Sequence, residues 1–176
     1  MSGGAEFVPP RPIGAAFLLA ALRHAAVSHV VIVPDTVQKT FLAALEAAPD
    51  IVRIVACTED EAVGINAGLY ATGHRPLLSI QNNGIFACVN TLRGIALDAA
   101  VPTVMLVGLY GYRPVAPPEA SPSRMVALLE PTLATWSIPH RRLWSDDDLG
   151  DFADIYAEAF TRRGPTALII PIATTA

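Results

Sequence analysis

The sequence has few charged residues and lacks a long apolar run. Charged residues make up 16% of the 176 positions, whereas hydrophobic residues make up 52%. A charge fraction this low is unusual for a protein whose whole surface faces water, so we expect part of the surface to be buried against another chain. No apolar run reaches the ~18 residues that a membrane-spanning helix requires, which argues against contact with a membrane.

Basic residues are scarce and scattered, and cysteines are few. Twelve Lys and Arg residues against sixteen Asp and Glu residues give a formal net charge of -4. The absence of a basic cluster argues against nucleic acid as a partner. Cys57 and Cys88 form no CxxC pair and lie in apolar surroundings. We therefore predict that both are reduced core residues of a cytoplasmic protein.

Several common catalytic and nucleotide-binding motifs are missing. The sequence has no GxxxxGK[ST] phosphate loop, no GxGxxG fingerprint and no GxSxG nucleophile elbow. These absences disfavour an unrelated nucleotide-binding domain. The histidines have no metal-ligand spacing, so we expect no metal site in this chain; they are His24, His29, His74 and His140.

What the sequence does contain is a regular alternation of apolar runs and helical segments. Strands are predicted at 29–35, 51–58, 76–81, 102–108, 139–144 and 165–172. Helices are predicted at 13–26, 36–50, 60–72, 84–100, 124–136 with an interruption at Pro131, and 146–163. This alternation predicts one α/β domain over residues 13–176, a three-layer α/β/α fold with a mostly parallel six-stranded sheet. Residues 1–12 are predicted to be a flexible leader, and the irregular segment 109–123 is a candidate lid or interface.

Three of the predicted strands end in unusual side chains. The stretches are "VPDT" at 33–36, "CTEDE" at 57–61 and "QNNG" at 81–84. Ligands of open parallel sheets bind beyond the carboxyl ends of the strands. We therefore expect these three stretches to share one edge of the sheet and to form the functional site.

Glu59 is the acid in "CTEDE" that local structure does not explain. Asp60 and Glu61 are expected as first-turn acids of the next helix, and Thr58 with Glu61 matches a capping box. Capping does not require Glu59, whose carboxylate should be partly buried, so Glu59 is the candidate functional acid. At the third strand end, Gly84 permits a close backbone approach or a positive φ, although an ordinary turn capped by Asn is the alternative.

With these residues identified, the chain resembles the pyrimidine-binding (PYR) domain of thiamine-diphosphate enzymes. In that family a Glu after the second strand opens a helix of small residues, here "TEDEAVGINAGLY". The stretches "VPDTVQKTF" and "IQNNGI" are similar to strand ends of sulfopyruvate and phosphonopyruvate decarboxylases. The resemblance covers roughly Ile13 to Ile172, most of the chain.

The resemblance implies a role for Glu59. The family's Glu hydrogen-bonds the N1′ atom of the cofactor's aminopyrimidine, and the thiazolium then serves as the electron sink for decarboxylation. Aligning on "AVGINAG" places Glu59 at that position, whereas aligning on Tyr70 without a gap would place Asp60 there. The resemblance also implies cofactor contacts and weaker substrate contacts. The cofactor residues are Glu59, Pro34, Asp35, Gln81, Asn82, Asn83 and Gly84, and the substrate residues are Thr36, Asn83 and Arg113.

The resemblance further implies a partner. The Gly-Asp-Gly motif of the family's diphosphate-binding domain is absent from this sequence. The chain is therefore expected to be the α subunit of a hetero-oligomeric decarboxylase. Its β subunit would carry that domain, and Mg²⁺ would be bound mainly by the β subunit. The substrate is expected to be a small 2-oxo acid. The loop "LYGYRPVAPPEASPSR" departs from the sulfopyruvate decarboxylase pattern, so the identity of the 2-oxo acid is not predicted. A split carboligase of the acetolactate-synthase kind and a non-catalytic PYR-like regulatory subunit are the alternatives.

Overall fold

Six parallel strands form one sheet at the centre of residues 7–176, the part of the chain that the computed structural model describes. The strands are β1 (His29–Ile32), β2 (Val52–Val55), β3 (Pro76–Gln81), β4 (Thr103–Gly108), β5 (His140–Arg142) and β6 (Pro165–Ile170). The helices are α1 (Ala15–His24), α2 (Lys39–Glu46), α3 (Glu59–Ala71), α4 (Asn82–Thr91), α5 (Arg124–Ala127), α6 (Leu129–Thr135) and α7 (Phe152–Arg162). The predicted α/β class with six strands is confirmed, and the sheet is parallel throughout rather than mostly parallel.

The strand order β2-β1-β3-β4-β6-β5 places a topological switch point between β1 and β3. From β1 the chain passes outward to β2 and then crosses back to β3 on the other side of β1. Ile32 at the end of β1 is paired with Ser79 in β3, so the two strands end close together. A switch point of this kind leaves a crevice at the carboxyl edge, which is where open α/β sheets bind ligands.

Alternate strand residues face two separate helix layers. Val30 and Ile32 belong to the core that includes residues of α1, α2 and α7. Val31 belongs to the core that includes residues of α3, α4, α5 and α6. The edge strand β2 differs from the expected buried strand, because Val52 and Val55 are 50% and 56% exposed. No strand covers its outer side within the described residues.

Three helical segments differ from the sequence prediction. α4 continues into a π-helical segment, Leu92–Asp98. The helix predicted over 124–136 is divided at Leu128, because Pro131 has no N–H to donate to the carbonyl one turn earlier. The acidic run begins with a separate 3-10 turn, Asp146–Leu149, and α7 starts only after it.

The described part of the N-terminal leader lies beside Trp144. The Trp144 indole N–H donates to the Val8 carbonyl at 2.9 Å, and the Arg11 N–H donates to the Trp144 carbonyl at 2.8 Å. Residues 1–6 of the predicted leader lie outside the described residues.

Candidate active site

The carboxyl edge of the sheet brings the three predicted strand ends together as two side-chain pairs. Gln81, the last residue of β3, donates its Nε2–H to Asp35 Oδ1 at 3.0 Å, across the β1–β3 switch point. The side chain of Glu59, the first residue of α3, lies directly against Gly84 in the first turn of α4. Because Gln81 and Gly84 are three residues apart on one turn, the two pairs are neighbours.

The start of α3 is fixed by a capping arrangement. Thr58 is the N-cap, and its Oγ1 accepts the Glu61 N–H at 3.3 Å. The Glu61 carboxylate accepts the N–H of Cys57 at 2.7 Å, one residue earlier than a standard capping box requires. The first turn of α3 therefore has a defined direction, and this direction sets where Glu59 points.

The three acids of this turn have different surroundings. Glu61 is bound to the backbone, and Asp60 Oδ1 accepts the Thr91 hydroxyl at 2.6 Å. Glu59 is half-buried as a residue, and its carboxylate has no hydrogen-bond partner within residues 7–176. Glu59 is therefore the acid of the three that remains available to a ligand.

Glycine is required at position 84 by packing. A Cβ atom at this position would overlap the side chain of Glu59, including its carboxyl carbon. Gly84 is buried and has a helical backbone conformation rather than a positive φ. The close approach predicted from sequence is thus an approach of the Glu59 side chain to the α4 backbone.

Asp35 has a carboxylate that is enclosed by its own chain. The residue is 3% exposed. Its Oδ1 accepts the Val37 N–H at 2.9 Å as well as the Gln81 amide, and its Oδ2 accepts Gln38 Nε2–H at 3.0 Å. Sequence reasoning did not identify Gln38, which is fully buried. The available signal was its spacing, because Gln38 shares the inner face of α2 with Phe41, Leu42 and Leu45.

The two asparagines before Gly84 have opposite environments. Asn82 is buried, and its amide donates to the carbonyls of Tyr110 and Met125 at 3.2 and 3.1 Å. Its Oδ1 accepts the Tyr110 N–H at 3.1 Å, so the side chain is fully engaged. Asn83 is exposed, and its side chain has no hydrogen-bond partner in the described part of the chain. Asn83 is therefore the asparagine that could reach a ligand.

Pro34 and Thr36 do not join the Glu59 side of the sheet. Both line a cleft of about 370 Å³ between α2 and β2, together with Lys39 and Val55. α2 packs on one face of the sheet, whereas α3, which carries Glu59, packs on the other. The structure thus separates these two predicted contacts from the candidate acid.

The segment 109–123 is tied down at several points. The Tyr112 hydroxyl donates to the Ala116 carbonyl at 2.8 Å, and Arg142 forms an ion pair with Glu119 at 2.7 Å. Hydrogen bonding to its own backbone N–H, and then to Arg142, lowers the pKa of Glu119 despite partial burial. Arg113 is exposed and lines a separate hollow formed by this segment.

The two cysteines differ in exposure. Cys88 on α4 is buried, as predicted. Burial, together with the negative charges of Asp60 and Glu59, raises the pKa of the Cys88 thiol to about 12. Cys57 is exposed, so its prediction as a core residue was wrong. It follows the edge strand β2, where no further strand covers the chain in the described region.

The described residues contain neither a metal-binding cluster nor a membrane-spanning helix. No group of three or more His, Cys, Asp or Glu side chains in residues 7–176 has a geometry that could hold a metal ion. No helix in the same range is both long and apolar enough to cross a membrane.

Comparison with known proteins gives relatives by sequence and a neighbour by fold. The chain is 30% identical over 91 residues to the sulfopyruvate decarboxylase subunit alpha of Methanocaldococcus jannaschii, covering 52% of this chain and 54% of that protein. It is 28% identical over 92 residues to the subunit of the same name from Methanothermobacter thermautotrophicus, covering 52% and 56%. The chain thus matches about half the length of these curated relatives.

The structural neighbour is a larger enzyme. The 2-oxoglutarate:ferredoxin oxidoreductase of Magnetococcus marinus superposes with a TM-score of 0.70 over 90% of this chain and 28% of that one. At 12% identity this likeness establishes the fold alone. The family description "Thiamine pyrophosphate enzyme, N-terminal TPP binding domain" matches residues 13–123, more than half of the chain. The chain therefore belongs to the family of thiamine pyrophosphate enzymes, through their N-terminal TPP binding domain.

Proposed function

We propose that this chain is the pyrimidine-binding α subunit of a thiamine-diphosphate-dependent 2-oxo acid decarboxylase, with Glu59 as its catalytic acid–base residue. The observation that carries the proposal is that the half-buried residue Glu59 lies at the carboxyl edge of the sheet, with a carboxylate that has no hydrogen-bond partner within residues 7–176. The family membership and the names of the two sulfopyruvate decarboxylase relatives support a decarboxylase.

The side chains at this edge fit the pyrimidine end of thiamine diphosphate. A carboxyl group suits a ring nitrogen, because it can either accept or donate one proton in a hydrogen bond. Gly84 has no side chain, which leaves Glu59 the space to extend along α4. When bound, thiamine diphosphate supplies the electron sink that decarboxylation of a 2-oxo acid requires.

Glu59 would hold a proton at a carboxylate oxygen facing the pyrimidine. Partial burial lowers the local dielectric, so a hydrogen bond made there is stronger than one made in water. Proton transfer by a positioned carboxyl group is general acid–base catalysis. Asp60, which is bound to Thr91, is the less suitable of the two alternatives considered from sequence.

We further propose that a β subunit supplies the diphosphate-binding domain and most of the ligands of Mg²⁺. The word "subunit" in the names of both relatives supports a hetero-oligomer. Exposed apolar side chains also support a protein contact, since patches of them mark interaction surfaces. They include Tyr110, Val115 and Leu128, of which Val115 is 83% exposed.

The substrate in this proposal is a small 2-oxo acid. Arg113 is exposed at the hollow of segment 109–123, where a guanidinium group could pair with an anionic tail of the substrate. The side-chain amide of Asn83, beside Gly84, makes no hydrogen bond within residues 7–176. Thr36 is the weaker candidate, because it lines the cleft on the other face of the sheet.

The test compares Glu59→Gln with Asp60→Asn in the complex of this chain and the protein encoded by the neighbouring gene, with thiamine diphosphate and Mg²⁺. Decarboxylation of sulfopyruvate, phosphonopyruvate and pyruvate is followed, and products are analysed for an aldehyde or a hydroxyketone. We expect Glu59→Gln to lose turnover by about 10²-fold or more, the usual contribution of a general acid or base. Asp60→Asn should stay within about threefold of the wild type, because its partner Thr91 can also bond to an amide. Full turnover of the Glu59→Gln complex, or none from the wild-type complex on any of these acids, would contradict the proposal.

A further inference from the structure

We propose that Asp35 is a positioning residue whose buried carboxylate holds Gln81, and through it the β3–α4 turn that supports Glu59. The inference rests on the proposed function of Glu59. It assigns Asp35 and Gln81 to the internal framework of the site rather than to contact with cofactor or substrate.

The hydrogen bonds of Asp35 all come from within the chain. Three N–H groups, from Val37, Gln38 and Gln81, converge on its two oxygens at 2.9 to 3.0 Å. No basic side chain pairs with Asp35 in residues 7–176, so neutral donors alone satisfy it. A buried carboxylate with donors on both oxygens has little capacity left for a ligand.

Gln38, one of the donors to Asp35, is itself held in one orientation by hydrogen bonds. Its Oε1 accepts the Ser79 hydroxyl at 3.0 Å, and its Nε2 donates to the Ile80 carbonyl at 3.0 Å as well as to Asp35. These bonds determine which end of the amide is oxygen and which is nitrogen. They also connect α2 to β3 across the switch point, so the network is fully satisfied and rigid.

Gly108 shapes the space that Asp35 occupies. A Cβ atom on Gly108, the last residue of β4, would overlap the Asp35 carboxylate. The same position would also crowd the Cβ atom of Val37. The Asp35 side chain therefore lies against the β4 backbone, and its position is determined by packing as well as by hydrogen bonds.

The β3–α4 turn is held from both sides by these contacts. Asp35 binds Gln81 at the first residue of the turn, and Asn82 binds the backbone of Tyr110 and Met125 at the next. Two residues later, Gly84 supports the Glu59 side chain. Loss of the Asp35–Gln81 bond should therefore let the turn shift and move Glu59 with it.

A positioning role has a different signature from a binding role. Misplacing a catalytic group by about 1 Å costs up to 10²-fold in rate. We therefore expect a lower kcat with little change in substrate KM or in the Kd for thiamine diphosphate. A direct contact with cofactor or substrate would instead raise one of these constants.

The experiment uses Asp35→Asn and the milder Gln81→Met in the complex with the partner chain, with Asp50→Asn as the matched control. Asp50 is an exposed aspartate paired with Arg23, remote in sequence from the turn. We expect both test variants to lower kcat by roughly 10- to 100-fold, the cost of a misplaced group. KM for the 2-oxo acid and Kd for thiamine diphosphate should remain within about threefold, and Asp50→Asn should match the wild type.

Two further measurements separate positioning from general destabilisation. Amide hydrogen exchange of residues 85–88, the first amides of α4 that donate within the helix, should rise at least tenfold in Gln81→Met while exchange of the central strands stays unchanged. The Glu59→Gln/Gln81→Met double variant should be no slower than Glu59→Gln alone, because the two residues act on the same step.

The outcomes distinguish this inference from the proposed function. Three results would overturn the positioning role even if Glu59 is essential. They are multiplying effects in the double variant, a tenfold weaker Kd for the cofactor, and unchanged exchange at 85–88. Full activity of Glu59→Gln would overturn the proposed function, and the exchange measurement would still report whether Asp35 and Gln81 hold the turn.

Discussion

The side chain of Glu59 occupies the space that a Cβ atom would need at Gly84. The two residues are 25 positions apart in the sequence and belong to successive helices. Glu59, which is expected to act on a ligand, therefore packs against Gly84, a position where only a residue without a side chain leaves enough space.

Gly84→Ala should displace Glu59 without unfolding the domain. The added methyl group would force the whole Glu59 side chain to rotate, since its Cγ and carboxyl atoms both lie within overlap distance. Alanine also favours a helix over glycine by up to ~1 kcal/mol, which offsets part of the disruption. We expect kcat/KM of the complex to fall by about 10²-fold, while the free energy of unfolding, measured in urea, changes by less than ~1 kcal/mol.

Gly68→Ala is the matched control for this variant. Gly68 is an exposed glycine within α3, and a Cβ atom there would meet no atom within 4 Å. Its replacement should raise the free energy of unfolding by ~0.5–1 kcal/mol and leave turnover unchanged. Wild-type turnover of Gly84→Ala would mean that the position of Glu59 against α4 is not needed.

Asn82→Ala should loosen segment 109–123. The variant removes three hydrogen bonds to the partly buried backbone of Tyr110 and Met125. The Tyr110 N–H keeps its bond to the Gly108 carbonyl at 3.1 Å, but the two carbonyls lose the Asn82 amide. We expect the free energy of unfolding to fall by ~1–3 kcal/mol, since each lost hydrogen bond contributes about 0.5–1.5 kcal/mol. The exposed Asn83→Ala should change it by less than ~0.5 kcal/mol. Equal effects of the two variants would show that Asn82 does not anchor the segment.

The two cysteines should react very differently with an alkylating reagent. The pKa of Cys88 is raised to about 12, chiefly by burial, so at pH 8 its thiol is almost entirely protonated and shielded. Cys57 is exposed. Iodoacetamide at pH 8 should therefore label Cys57 alone in the folded protein, and both residues in urea. Peptide mass spectrometry measures the extent of labelling at each cysteine. Labelling of Cys88 in the native protein would contradict the prediction and show that α4 opens more readily than its packing indicates.

His29 should make the domain less stable in mild acid. Burial, and then the positive charge of His74 whose ring centroid lies 4.4 Å away, lower the pKa of His29 in the folded state. The unfolded chain, with a His pKa of about 6.5, then binds more protons than the folded chain. The free energy of unfolding should therefore fall as pH drops below about 6.5 towards the folded pKa.

His74→Gln tests this dependence. Removal of the second imidazole should raise the pKa of His29 in an NMR titration and reduce the loss of stability between pH 7.5 and 5.5. His24→Gln, at an exposed position of α1, serves as the control. A folded-state pKa of His29 that is unchanged by His74→Gln would contradict the role of the pair.

Sequence patterns were sufficient to predict the six strands, because each is a short apolar run bounded by turn residues. They did not give the strand order, which depends on crossover connections rather than on local pattern. For that reason the exposure of β2 and of Cys57 was missed: both follow from the edge position of β2. Pro131 correctly predicted that the helix is interrupted, but the break lies at Leu128, three residues before the proline.

The candidate site could be predicted only as a set of strand ends. The contact of Glu59 with Gly84 and the bond of Asp35 with Gln81 depend on the tertiary structure. The members of these pairs are 25 and 46 residues apart, so local sequence patterns do not predict them. The buried role of Gln38 was also missed. Its spacing from Phe41 and Leu42 was a sign of burial, but its bond to Ser79 spans 41 residues and has no local sign in the sequence.

The ties within segment 109–123 have a consequence for the entropy of binding. Fixing the backbone of one flexible residue costs roughly 1–2 kcal/mol, so a disordered segment of this length would weaken any association that required its ordering. Here Asn82, the Tyr112 hydroxyl and the Arg142–Glu119 ion pair already restrict the segment. A partner or substrate that binds against it would meet a surface whose conformational freedom was lost when the domain folded.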